Sequence, residues 1–313
     1  MAWRIFTGQD RGGISDEAWR NLPKVPPWRV RDVAVSRFVL TDDLLDAVNA
    51  ALHLRRPLLL TGAPGSGKST LINLIAQELS LGEPLKWHIT SRSVLDDGLF
   101  HYDALGRLHA TQIKKTVIKV EKYVTLGPLG TALASRDKPR AVLIDEIDKS
   151  DFDLPSDLLN VLEEGEFDIP PLVREARAGA NGKSKVRQTV RGHDRETYDV
   201  KGGVVRRTHW PIIIMTSNGE RTFPAPFLRR CVRFEMATPE LTFLQDVVDG
   251  YLDSVDGDDR AKIAEFRQRL VAGERLAIDQ LLNYLYLVTA DHGITADTRQ
   301  RLEKALLEEL SGR

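Results

Sequence analysis

Residues 61–70 read Thr-Gly-Ala-Pro-Gly-Ser-Gly-Lys-Ser-Thr, and their types and spacing suit the chemistry of a polyphosphate. Gly62, Gly67, Lys68 and Ser69 fall where the phosphate-binding pattern G-x-x-x-x-G-K-[ST] needs them. Phosphate oxygens take many N–H donors at close range, so the loop must be nearly free of side chains. Glycine allows both the approach and the φ values. The candidate contacts are Gly62, Ala63, Pro64, Gly65, Ser66, Gly67, Lys68, Ser69 and Thr70. Lys68 is placed to neutralise β- and γ-phosphate charge, and the Ser69 hydroxyl to ligate Mg2+.

A second constellation lies 77 residues beyond the lysine, where Asp145-Glu146 follows Ala141-Val-Leu-Ile144. Two acids leaving the C-terminal end of a buried strand stand where parallel α/β sheets gather ligands. Asp145 is placed to hold Mg2+ through its water shell, and Glu146 to orient and polarise an attacking water. Taken alone, such a pair is also what the first turn of a helix carries.

The elements that must position these residues are legible. Pro57-Leu-Leu-Leu60 is a short apolar run, read as a buried strand, and 70–79 has apolar residues at helical spacing. Strand, Gly-rich loop and helix form the context a phosphate loop requires. Trp210-Pro-Ile-Ile-Ile-Met215 reads as another apolar strand, and 41–52 and 157–164 as helices, the first capped by Thr41. Strands alternating with helices predict an α/β fold, a parallel sheet between helices. From about 238 the pattern is wholly helical, with pieces expected over 242–252, 259–270, 278–288 and 296–310. The expected organisation is an N-terminal arm (1–33), an α/β core (34–238) and a helical lid (239–313). The arm holds Trp3, Trp19 and Trp28, whose rings must bury on the body or on a partner.

Composition bounds the rest. The 313 residues suit two packed units and are 42% hydrophobic, 28% charged and −1 in net charge. No stretch approaches the ~20 apolar residues that span a bilayer. The opening Met-Ala-Trp-Arg-Ile-Phe-Thr-Gly is not a signal peptide, so a cytoplasmic protein with no membrane role is expected. Cys231 is the one cysteine, read as a small semi-buried residue.

Together, the phosphate loop, Asp145-Glu146, Thr216-Ser217-Asn218 and Phe227-Leu228-Arg229-Arg230-Cys231 resemble AAA+ ATPases. More narrowly they are similar to the MoxR-type, helix-2-insert branch. The discriminating parts are Gly127-Pro-Leu-Gly-Thr-Ala-Leu133, Leu158-Leu-Asn-Val-Leu-Glu-Glu164 and the Leu-Arg-Arg-Cys run. The resemblance covers about 35–290. It implies an AAA+ P-loop core with an all-α lid, Mg-ATP as the nucleotide, and hydrolysis of ATP to ADP and phosphate. It places Asn218 as sensor 1 and either Arg229 or Arg230 as the finger that reaches a neighbouring subunit. It implies a homo-oligomeric ring, a hexamer, that remodels or activates a protein client, with a von Willebrand factor A domain as one partner type. One departure is the lid: 276–283, Leu-Ala-Ile-Asp-Gln-Leu-Leu-Asn, lacks the usual sensor 2 arginine, with Arg275 just ahead. Weak or partner-dependent turnover follows as an expectation. Two other classes stay open, a McrB-like NTPase subunit acting on nucleic acid and an ATP-gated assembly switch.

Two inserts are expected, at about 95–115 and 171–207. Residues 99–110 alternate around Asp-Ala-Leu-Gly, which suits a small β-hairpin. His101 and His109 there fit no zinc spacing. Segment 171–207 carries ten Lys/Arg against four Asp/Glu, +6 beside −7 for the remainder, and reads as a mobile loop or long hairpin. It could grip an acidic protein segment in a ring pore, touch nucleic acid phosphates, or simply be solvated. Nucleic acid is not favoured, because aromatic interleaving stops at Tyr198.

Overall fold

The computed structural model describes residues 25–29, 40–64, 66–114, 119–179, 187–252, 255–274, 276–289 and 294–308. The chain divides into two compact units. The first comprises Leu40–Thr61 and Leu71–Glu235; the second gathers the described part of 1–39, Gly62–Thr70 and Met236 onward.

In chain order the elements begin with α1 (Asp42–Leu54), β1 (Leu58–Thr61), α2 (Lys68–Glu78) and β2 (Leu85–His88). Next come α3 (Leu95–Leu99), β3 (Phe100–Tyr102), α4 (Ala104–Lys114), β4 (Val124–Leu126) and α5 (Pro128–Ala134). Then follow β5 (Ala141–Asp145), α6 (Leu154–Glu164), β6 (Glu166–Asp168), α7 (Pro170–Gly179), β7 (Arg187–Arg191), β8 (Thr197–Lys201) and β9 (Val204–Arg206). The first unit closes with β10 (Ile212–Ser217), α8 (Ala225–Leu228) and β11 (Val232–Glu235).

Its central sheet has the order β11-β1-β10-β5-β2, and every pairing is parallel. The three inner strands β1, β10 and β5 read as near-continuous apolar runs because both faces are covered, whereas the edge strands β2 and β11 alternate apolar and polar residues. Leu58, Leu59 and Leu60 of β1 and Val142 to Ile144 of β5 are all buried. Parallel pairing brings the C-terminal ends to one edge: Thr61 lies opposite Ser217, and His88 opposite Asp145.

A second sheet, β3-β4-β7-β8-β9-β6, carries the two inserts; the first departs from expectation, and the second takes the long-hairpin alternative, β7 pairing antiparallel with β8. Residues 99–110 are not a hairpin. β3 pairs antiparallel with the distant β4, and the chain after Tyr102 turns into α4. Asp103 Oδ1 accepts from Gly106 N at 2.7 Å, so the Asp-Ala-Leu-Gly turn signal is a helix cap. Aspartate serves both structures by the same bond to a nearby amide, which is why local sequence could not separate them. The basic segment forms α7 and three antiparallel strands; its residues 180–186 lie outside the described ones. Val190, Val200 and Val205 turn inward and are buried, so a few apolar residues at period two hold the strands down.

The second unit packs α9 (Leu241–Tyr251), α10 (Gly257–Val271), α11 (Ile278–Thr289) and α12 (Ala296–Leu306). Leu244, Val248, Ile263, Phe266, Leu281 and Leu285 fill its core. Trp28 from the arm packs edge-on against Tyr251 and Tyr286, with centroids 5.8 and 5.6 Å away. Trp3 and Trp19 lie outside the described residues. No helix among the described residues is long and apolar enough to cross a membrane.

Candidate active site

The phosphate loop is built around its own lysine. Lys68 opens α2 and is 6% exposed. Its Nζ donates to Gly62 O at 2.8 Å and Ala63 O at 2.7 Å, and meets Ser66 Oγ at 3.4 Å. Those contacts curl the loop around a fixed ammonium. Gly62 and Gly67 sit at φ +146° and +85°, where side chains are strained. A Cβ on Gly62 would also stand 2.9 Å from Met236 Cβ and 3.1 Å from Met236 O. Ser69 and Thr70 continue into the first turn of α2, where the Thr70 amide donates to Gly67 O at 2.9 Å, and a helix start of this kind favours anions. Gly65 lies outside the described residues. A glycine cradle, a fixed cation and a helix start fit a nucleotide's phosphates.

The acidic pair is organised by a hydroxyl on another strand. Thr216 of β10, 1% exposed, donates from Oγ1 to Asp145 Oδ1 at 2.6 Å and accepts from Glu146 N at 2.9 Å. Glu146 needs that hold, because its backbone is left-handed (φ 60°, ψ 47°). Such a conformation in a non-glycine residue costs about 1–3 kcal/mol. It turns the side chain off the end of β5. There Glu146 Oε2 meets Lys149 Nζ at 2.7 Å and His88 Nε2 at 3.3 Å. His88 Nδ1 stands 4.0 Å from Asp145 Oδ2. The hydrogen bond to Glu146 lifts Lys149 above its ordinary pKa, against a smaller opposing effect of burial.

Asn218 enters the same edge through Asp148, which is 4% exposed. Asp148 Oδ2 accepts from Asn218 N at 3.0 Å and from Glu220 N at 3.1 Å. Its Oδ1 is buried without a hydrogen-bond partner among the described residues. The turn after β5 is thus tied to the end of β10 twice, once through Thr216 and once through Asp148. The Asn218 side chain makes no hydrogen bond among the described residues.

The two arginines part company. Arg230 Nε donates to Glu163 Oε1 at 2.5 Å, and its Nη1 to Pro226 O at 3.5 Å. Arg229 is exposed, and among the described residues its side chain has neither a hydrogen bond nor an ion pair. Only its carbonyl is engaged, by Arg56 Nη1 at 3.1 Å.

The structure therefore brings Asp145, Glu146 and Asn218 to one sheet edge and leaves Arg229 and Arg230 beyond α8. Lys68 and Ser69 belong to the loop that leaves β1. Sequence reasoning passed over His88, Asp148, Lys149 and the bridging role of Thr216. The one signal was polar: Thr216 and Ser217 end an otherwise aliphatic strand. No group of three or more His, Cys, Asp or Glu among the described residues could hold a metal alone. The Ser69 hydroxyl in one unit and the Asp145 carboxylate in the other are each hard-oxygen donors of the kind Mg2+ takes, an ion that keeps several waters and uses one or two protein ligands.

The sequence profile of the AAA domain, dynein-related subfamily, matches residues 57–231, more than half of the chain. The chain belongs to this AAA family. Like the family, it is an AAA+ ATPase with a P-loop core, a parallel sheet between helices and C-terminal helices, and it catalyses ATP hydrolysis. No curated protein sequence matches it. Among solved structures, the AAA chain is similar to a point mutant of Thermotoga maritima RuvB at 16% identity and TM-score 0.44, covering 84% of this chain and 67% of that one. The T. maritima RuvB Holliday junction branch migration motor is 13% identical at TM-score 0.44, with coverage of 86% and 70%. NtrX from Brucella abortus, in complex with ADP, is 12% identical at TM-score 0.47, with coverage of 90% and 57%.

Proposed function

We propose that this AAA ATPase is of the MoxR type, a cytoplasmic homo-oligomeric ring in which ATP hydrolysis remodels or activates a protein client. The observation that carries the reading is the paired brace of Thr216 and Asp148 across the acidic turn. It fixes a carboxylate, a candidate base and a polar sensor on one edge of the sheet from which the phosphate loop also departs.

In this reading the loop amides and Lys68 bind and orient the phosphates, and Ser69 and Asp145 would hold Mg2+. The metal, when bound, would screen phosphate charge. Glu146 orients and deprotonates the attacking water, and Asn218 reports the terminal phosphate. Arg229 is the finger, because its guanidinium alone of the pair is uncommitted among the described residues and exposed. A finger acts across an interface, so a ring follows, with a hexamer as the working size. A von Willebrand factor A domain protein is the partner type the resemblance favours.

One observation supports turnover that depends on a partner. One oxygen of the candidate base, Glu146 Oε2, already accepts from Lys149 at 2.7 Å, with His88 Nε2 3.3 Å away. The lid adds to this. Asp279 lies in the first turn of α11, and Gln280 is spent on bonds to Ala277 N, Leu306 O and Glu308 O. Mass photometry of wild type and Glu146→Gln in ATP and in ADP, with phosphate release in parallel, tests the proposal. ATP-dependent rings that Glu146→Gln locks, with release from wild type alone, are expected. A wild-type protein that stays monomeric and silent in ATP would sink the ring motor.

A further inference from the structure

The second sheet takes no part in the phosphate chemistry, yet it gathers charge. A groove enclosing about 1160 Å3, open solvent included, is lined by Arg136, Lys201, Arg206 and Arg207 above Ala134, Val204 and Val205. We infer that this groove docks a carboxylate-rich segment of a protein partner. The inference rests on the client-remodelling reading for its purpose and names the chemistry of the client.

The argument is one of missing counter-charge. Asp199 is the single carboxylate in the lining, and both of its oxygens are occupied, one by Arg187 and the other by Thr189 Oγ1 at 3.2 Å. Arg206 is paired with Glu166 at 2.7 Å. Arg136, Lys201 and Arg207 remain, and none has a carboxylate within ion-pair distance among the described residues. At the turn between β7 and β8 the fold does pair a cation, Arg140 with Asp194 at 2.6 Å.

Two of the three are nonetheless held in place. Arg136 Nη2 donates to Asp199 O at 2.8 Å, and Arg207 Nη1 to Leu162 O at 2.6 Å. The Arg207 guanidinium also lies over the Trp210 ring, 3.3 Å from its centroid. Carbonyls and a ring face orient a guanidinium without neutralising it. Arg207 is half-buried, and burial draws it below its ordinary pKa, so its charge is carried at a cost. An incoming carboxylate would offset that cost through a two-point fork bond. The aliphatic floor suits the methylene stem of a glutamate. Nucleic acid fits less well: the lining has no aromatic ring, and Arg207 covers one face of the adjacent Trp210.

The test is fluorescence anisotropy of the full chain with a fluorescein-labelled octaglutamate peptide and, separately, a labelled twelve-residue oligo-dT. The peptide should bind, and binding should weaken steeply with salt. Lys201→Gln and Arg136→Gln should each weaken it by about tenfold, one charge-assisted contact apiece. Lys86→Gln, an equal charge loss on the other sheet, should not. Lys201 is exposed, so its variant should fold even if Arg136→Gln does not. No peptide binding, equal loss with Lys86→Gln, or tighter binding of oligo-dT would each overturn the inference. Phosphate release run beside it separates the two readings. Peptide captured through these residues by a protein that releases no phosphate leaves the groove standing and removes the motor. Release without capture removes the groove alone.

Discussion

The Thr216 hydroxyl serves two neighbours at once, steering the Asp145 carboxylate and pinning the strained Glu146 backbone. Thr216→Val keeps the shape and removes both bonds. It should cost about 1–3 kcal/mol of stability, the penalty for leaving buried polar groups unpaired. Phosphate release should fall at least tenfold while binding of a fluorescent ATP analogue barely changes; equal losses in both would mean Thr216 is only structural. Thr216→Ser should recover most of the rate. At Glu146 the hold is lighter. Lys149 is 40% exposed, and an ion pair so placed is worth about 0–1 kcal/mol. Lys149→Met should therefore raise basal turnover by no more than about fivefold. Because its pKa is raised above 10.5, this lysine stays charged at neutral pH, so a competing contact rather than a pH change must release the glutamate. For the arginines, Arg229→Ala should lower turnover of assembled protein by about 10³-fold or more. Arg230→Ala forfeits an ion pair with half-exposed Glu163 and should stay within a few-fold of wild type. The reverse ranking, read as phosphate release at saturating ATP, would exchange their roles.

At the scale of elements, the β7–β8 hairpin is fastened to the start of β5 by one half-buried knot. Asp194 Oδ2 accepts from Arg140 Nη1 at 2.6 Å and from the Tyr198 hydroxyl at 2.7 Å. Burial pushes the Tyr198 phenol up to about 12, with the Asp194 bond adding to it. Burial alone would raise the Asp194 carboxyl too, but bonds from Arg140, Tyr198 and the Glu196 amide outweigh it and hold it below 3.8. A depressed carboxylate contributes stability above its unfolded value and loses it as pH falls through the folded one. Asp194→Asn should thus lower stability at pH 7 by about 1–3 kcal/mol. The gap in melting temperature from wild type should narrow as pH drops below 3.8; a constant gap would mean the charge is irrelevant. Beside the arginine pair, Cys231 is 7% exposed, and burial lifts its thiol to about 12. Disulfide exchange with a chromogenic reagent at about pH 8 should be slow in the folded protein and fast in denaturant.

The whole molecule joins an α/β unit to a helical one, and each has its own core. Trp28 shows that part of the arm belongs to the helical unit, where it fills the angle between Tyr251 and Tyr286. Trp28→Ala should lower the helical unit's stability by about 2–3 kcal/mol, below the roughly 3–5 of a fully buried tryptophan because this one is only half-buried. Phosphate release and thermal melting measured together on that variant would show whether the arm matters to assembly or only to the lid.

Local chemistry was legible wherever one residue type had one use. A run of Gly, Lys and Ser between an apolar strand and an amphipathic helix has few roles, so the phosphate loop could be read directly. The all-parallel core and the four C-terminal helices were legible from apolar runs and 3.6-residue spacing, whereas the acidic pair, which a helix's first turn also carries, was set apart only by its place after the Ala141–Ile144 strand. Tertiary structure alone decided what depends on residues far apart in the chain. Thr216 reaches Asp145 across 71 positions, and no local pattern records that bond. Asp103 became a cap rather than a turn because β3 found its partner in β4. The basic segment, a mobile loop or a long hairpin by composition, took the hairpin because three inward valines met a core assembled elsewhere, and pairing then chose which of its cations were left without a counter-charge. Spacing along the chain sets which groups are present; packing between distant strands sets which of them meet.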